Sequence, residues 1–128
     1  MIVVDTSAIM CIALGEPDAV EVKAAMTAAS HRLMSAGTLA ELQIVNAGRR
    51  TLADLHSRLQ TIDVTIVPVD AAQADLIGRI YAQYGKGLHR ASLNFGDCFA
   101  YALAKSRDLP LLYVGQDFAL TDIRSALA

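Results

Sequence analysis

Strand-like and helix-like segments alternate along the whole chain, and that alternation limits the fold more than any other feature of the sequence. Residues 1–4 (MIVV) form an unbroken apolar run, as a strand buried on both faces requires. Residues 31–35, 64–69 and 110–114 read as three further strands, with Pro68 ending or edging the third of the four. Helices are predicted over 6–13, capped by Thr6 or Ser7, and over 16–29, with Pro17 and Asp18 in the first turn. Gly15 breaks the chain between them. Further helices are predicted over 38–47 after Gly37, and over 49–60, 71–84 and 96–107. Leu39, Leu42 and Val45 recur at helical spacing, as do Leu52, Leu55 and Leu59, while Ala74, Ile77, Ile80 and Tyr81 are predicted to point inward. Such alternation implies a single α/β domain over residues 1–128, built on a parallel sheet covered on both faces.

Composition narrows the function classes. Hydrophobic residues are 54% of the chain and charged ones 19%, which excludes a disordered polymer. No apolar run approaches the ~18 residues of a membrane helix, and the N-terminus has no leader-like stretch, so a cytoplasmic protein without a membrane partner is expected. Cys11 and Cys98 lie in apolar contexts without ligand spacing and read as buried thiols. The net charge of −2 argues against a module that coats nucleic acid by surface charge alone. It does not argue against a nuclease, whose acids are neutralised by a bound ion.

In parallel α/β sheets, ligands bind beyond the carboxyl ends of the strands. Asp5 follows the first strand directly, and Gln116 and Asp117 follow the last. Glu41 lies inside an apolar helix after the second strand, and Asp97 opens the most apolar helix. Each has an ordinary explanation alone: Asp5 and Asp97 as helix-cap residues, Glu41 as a partly exposed helical acid, Asp117 as a turn residue. Together they form a candidate carboxylate cluster. Packed carboxylates repel one another and take up protons unless a divalent cation removes the penalty. Magnesium prefers oxygen donors and retains water, which suits phosphodiester hydrolysis. The loop over 85–95 holds Lys86, His89 and Arg90, which read either as a solvated charged loop or as contacts to a nucleic-acid backbone. Thr6 and Ser7 are candidates for binding a phosphate or a metal-bound water. His31 and His56 pair with nothing for catalysis.

Met1-Ile2-Val3-Val4-Asp5-Thr6-Ser7-Ala8, Leu93-Asn94-Phe95-Gly96-Asp97-Cys98 and Leu111-Leu112-Tyr113-Val114-Gly115-Gln116-Asp117-Phe118 with Thr121-Asp122 resemble the three motifs of the PIN-domain ribonucleases, and more narrowly of the VapC toxins. Glu41 falls where that family has a helical Glu. The resemblance spans nearly the whole chain. It implies an α/β/α sandwich around a parallel sheet of four or five strands. It also implies endonucleolytic RNA cleavage with Mg²⁺ or Mn²⁺ to 3′-hydroxyl and 5′-phosphate ends, a VapB-type antitoxin, and a homodimer. Asp5 and Asp97 become direct or water-bridged metal ligands, and Glu41 completes the shell or orients the attacking water. Gln116 departs from the pattern because it carries no charge. Either Asp117 is the fourth acid or the fourth position is weakened.

The rival reading is a non-catalytic binding module whose acidic pocket receives a partner's basic side chain. A receiver-like regulatory domain is disfavoured by a helical Glu41 and by the lack of a Lys after the last strand. A dinucleotide-binding domain is disfavoured because no G-x-G-x-x-G follows the first strand.

Overall fold

Ile2, Val3 and Val4 project alternately to the two faces of a sheet that is packed on both sides, which is why the run is apolar throughout. The computed structural model describes residues 1–127. Its strands are β1 (Ile2–Val4), β2 (Arg32–Ser35), β3 (Val64–Val67) and β4 (Leu111–Leu112). They lie in the order β3-β2-β1-β4, and every pairing is parallel, with Val3 opposite both Leu33 and Leu111. Beyond β4, Leu111 donates to the Arg124 carbonyl and accepts from the Ala126 amide, so the C-terminal segment lies against the sheet through one bridge at Ser125.

The helices are α1 (Thr6–Ala13), α2 (Ala19–Ala28), α3 (Ala36–Arg49), α4 (Leu52–Ile62), α5 (Ala71–Tyr84) and α6 (Phe95–Arg107). Val3, Leu33 and Leu111 pack with α5 and α6 on one face. Ile2, Val4, Met34 and Leu112 pack on the other with Ile9 of α1, Val22 of α2, Leu42 of α3 and Leu55 of α4. The expected α/β/α sandwich is therefore present, with a sheet of four strands.

Several local expectations need correction. Asp5, rather than Thr6 or Ser7, caps α1, its side chain accepting from the Ser7 amide. Pro17 and Asp18 precede α2 instead of forming its first turn. Gly37 lies inside α3, where the Phe99 ring fills the space a Cβ would need. The buried face of α3 is Thr38, Leu42 and Asn46, and Val45 is exposed. Asn46 is tolerated there because its amide donates to the Leu42 carbonyl (2.7 Å) while its Oδ1 accepts from the Thr51 hydroxyl (2.7 Å), joining α3 to α4. On α5, Ile77, Ile80 and Tyr84 face the core, whereas Ala74 and Tyr81 are exposed. Cys11 and Cys98 are buried and free, as read from their context.

Candidate active site

Every strand runs in the same direction, so the segments leaving their carboxyl ends meet along one edge of the sheet. Asp5 leaves β1 there and Asp117 follows β4. The second carboxyl end, at Ser35, starts α3, which carries Glu41 in its second turn. α6 returns toward the start of β4, so its N-terminus, with Asp97, lies on that edge as well. Asp5, Glu41 and Asp117 all act electrostatically on Asp97, and Glu41 acts on Asp5. The structure therefore brings together Asp5, Glu41, Asp97 and Asp117, from four separate stretches of chain.

Each carboxylate is held by its own device. Asp5 is 3% exposed. Its Oδ2 accepts from the Ser7 amide (3.1 Å) and the Ser7 hydroxyl (2.6 Å), while its Oδ1 is buried without any hydrogen-bond partner. Ser7 Oγ in turn accepts from the Val114 amide (3.0 Å), tying the start of α1 to the chain leaving β4. The Thr6 hydroxyl donates to Glu41 Oε1 (2.5 Å). Glu41 lies over Gly96, where any side chain would collide with its carboxylate. Asp97 forms a reciprocal capping box with Asn94: its Oδ2 accepts from the Asn94 amide (3.0 Å), and Asn94 Oδ1 accepts from the Asp97 amide (2.9 Å). Oδ1 of Asp97 lies outside that pair. Asp117 is exposed in the turn after β4.

These surroundings disfavour negative charge. Burial raises the Asp5 carboxyl from its usual 3.8 to about 6, with the Ser7 hydrogen bonds opposing the rise and Glu41 adding to it. Burial raises Asp97 to about 7, opposed by the Asn94 amide and reinforced by Asp5, Asp117 and Glu41. The unpartnered Asp5 Oδ1, the all-oxygen donor set and the mutual repulsion of the acids fit a hard divalent ion. Among the described residues, no three Asp, Glu, His or Cys side chains close around a point as a ready-made cage.

Residues 2–123 match the PIN domain family. A ribonuclease VapC of Mycolicibacterium smegmatis is 44% identical over 124 residues, covering 94% of this chain and 96% of its own length. The chain belongs to the VapC branch of the PIN-domain family. Solved structures agree on the fold. The Mycobacterium tuberculosis VapC20 toxin, described as cleaving the sarcin-ricin loop, superimposes with a TM-score of 0.76 at 17% identity and covers 96% of both chains. A toxin–antitoxin complex from Klebsiella pneumoniae gives a TM-score of 0.72 at 19% identity, covering 95% of this chain and 93% of its own.

In this VapC-family chain Lys86 and Arg90 are exposed on the loop that leads into α6. His89 is half-buried edge-on against Tyr84, its Nδ1 accepting from the Ala91 amide, which gives it a structural role in shaping the loop. His31 and His56 are exposed and outside the set. Sequence reasoning missed Asn94 and Gly96. The signal for Asn94 was available: Asn followed three residues later by an acid, just before an apolar run, is a capping-box spacing. For Gly96 no local signal exists, because the reason for it is a carboxylate 55 positions earlier in the chain.

Proposed function

We propose that this VapC-family chain is the ribonuclease toxin of a toxin–antitoxin pair. It hydrolyses RNA phosphodiester bonds internally with Mg²⁺, or Mn²⁺ in its place, to leave 3′-hydroxyl and 5′-phosphate ends. The observation that carries this reading is the buried Asp5, whose Oδ1 lacks any partner in a group of acids where Glu41 raises the proton affinity of Asp5, and Asp5, Asp117 and Glu41 raise that of Asp97. Membership of a family whose relatives are named ribonucleases supports the substrate class. A VapB-type antitoxin, a homodimer and a cytoplasmic setting complete the proposal.

Asp5 and Asp97 would supply the oxygens that hold the ion, with the exposed Asp117 as the fourth acid. A bound divalent cation neutralises these charges, lowers the pKa of a water and offsets charge developing on the phosphate. Ser7 fixes one oxygen of Asp5 and leaves the other without a hydrogen bond. Asn94 does the same for Asp97. Thr6 fixes Glu41 Oε1, so that the second oxygen, over Gly96, is free to orient a water or accept its proton. Thr6 and Ser7 spend their hydroxyls on these acids, which makes them positioning residues rather than direct phosphate contacts.

The test is cleavage of total cellular RNA with ends mapped at nucleotide resolution. Cleavage is expected with Mg²⁺ or Mn²⁺, to be absent in EDTA, and to fall by at least about a hundredfold in Asp97→Asn with the fold retained by circular dichroism. Full activity in EDTA defeats the metal-dependent scheme. RNA or protein binding without any cleavage favours the binding-module alternative.

A further inference from the structure

Phe95 is a phenyl ring left 73% exposed at the first position of α6, and the fold gives it little to do. Asn94 and Asp97 already cap the helix, and Phe95 belongs to neither core cluster. What it does touch is Phe99, one turn on, edge to face at 4.9 Å and 89°. Phe99 is itself seated over Gly37 of α3. The Phe95 ring is therefore steadied from one side and presented to solvent from another.

Its place gives that surface a meaning. Phe95 and Asp97 flank Gly96, the residue over which the Glu41 carboxylate lies. The ring sits one residue from the glycine under one candidate catalytic acid and two residues from another acid. A polyanion approaching this edge meets acids, so affinity for it must come partly from groups that carry no charge. An exposed aromatic face offers this, because every nucleobase has a π-face and single-stranded RNA leaves it free.

We propose that Phe95 stacks an unpaired base adjacent to the scissile phosphate, and thereby directs the site to single-stranded segments. The proposal rests on the ribonuclease reading above. Phe95→Leu keeps an apolar side chain at an exposed position and removes the ring. Its KM for a short unstructured oligoribonucleotide should rise about tenfold, the order one base–aromatic stack contributes, with kcat changed less than about threefold. Phe95→Trp should keep KM near the wild-type value. The chain has no tryptophan of its own, so the emission of the introduced indole reports directly on this position. In a Phe95→Trp, Asp97→Asn double variant, where nothing is cut, RNA should quench that emission, and an abasic ribose-phosphate oligomer of equal length should not. Equal KM for wild type and Phe95→Leu overturns the proposal while leaving the ribonuclease reading intact. Emission that responds to protein concentration but not to RNA overturns it in favour of a contact between copies of the chain. If wild type cleaves no RNA with either metal, the ribonuclease reading fails first and this one with it.

Discussion

The two oxygens of Asp5 do different work: Oδ2 caps α1 through Ser7, and Oδ1 is left without a partner in the site. Read from sequence, helix cap and metal ligand are competing explanations of this residue. In the structure one carboxyl has room for both, and only coordinates divide the atoms between them. Asp5 and Asp97 both have proton affinities raised above the ordinary carboxyl, to about 6 and about 7. Folding therefore favours their protonated forms. The stability they contribute is complete below about pH 4, and is lost as pH rises through those values. Each raised unit corresponds to roughly 1.4 kcal/mol, so the whole loss is at most about 7 kcal/mol, of which about half falls between pH 5 and pH 8 and solvent screening at the site reduces it further. In EDTA, the melting temperature should fall by about 5–10 °C between pH 5 and pH 8. Mg²⁺ should recover much of that fall at pH 8 and little at pH 5. Asp97→Asn should melt higher than wild type at pH 8 without metal. A metal-free protein that gains stability across this interval would contradict the account.

At the scale of elements, what was legible followed burial. The four strands were located correctly and the Leu52/Leu55/Leu59 face read correctly because its partners are simply apolar, but β3 and β4 stop at Val67 and Leu112, short of the predicted 69 and 114. Helix ends read less well. α3, α4 and α6 stop at Arg50, Asp63 and Asp108, all in the left-handed conformation without the glycine that normally announces such an end. The helices predicted over 38–47 and 49–60 consequently stop short of the observed ends at Arg49 and Ile62. The approach of α3 to α6 was also invisible, since it depends on two glycines far apart in sequence. Gly37 receives the Phe99 ring and Gly96 receives the Glu41 carboxylate, so the two helices meet running in opposite directions. This makes Gly96→Ala informative. Alanine improves helix propensity by up to about 1 kcal/mol, against the cost of displacing a flexible, part-exposed Glu. The melting temperature should stay within about 3 °C of wild type while cleavage drops more than about tenfold. A variant with wild-type activity would show that the Glu41 position over Gly96 is not needed for the reaction.

For the molecule as a whole, the question is how a chain of net charge −2, with its acids gathered at one sheet edge, engages a polyanion. Ion binding neutralises the pocket but adds little long-range attraction, because fields are screened within about 10 Å at moderate salt. The long-range part of the attraction must come from cations outside the pocket. Lys86 and Arg90, exposed on the loop that leads into α6, have no carboxylate partner among the described residues. By contrast, Lys105 is bound to Asp122 at 2.7 Å and helps hold the C-terminal segment to α6. A cation already paired in this way has less to offer a phosphate. Each phosphate neutralised on single-stranded RNA contributes about −0.7 to the slope of log K against log salt concentration. If Lys86 and Arg90 each meet one phosphate, replacing both with Ala should flatten the slope by about 1.4 and weaken binding most at low salt. Phe95→Leu should weaken binding by a similar factor at every salt concentration, because stacking releases no counterions. Parallel titrations of the two variants therefore separate charge from stacking on one substrate. A slope unchanged by the double replacement would remove the loop from the RNA path and leave the source of attraction to another face of the protein.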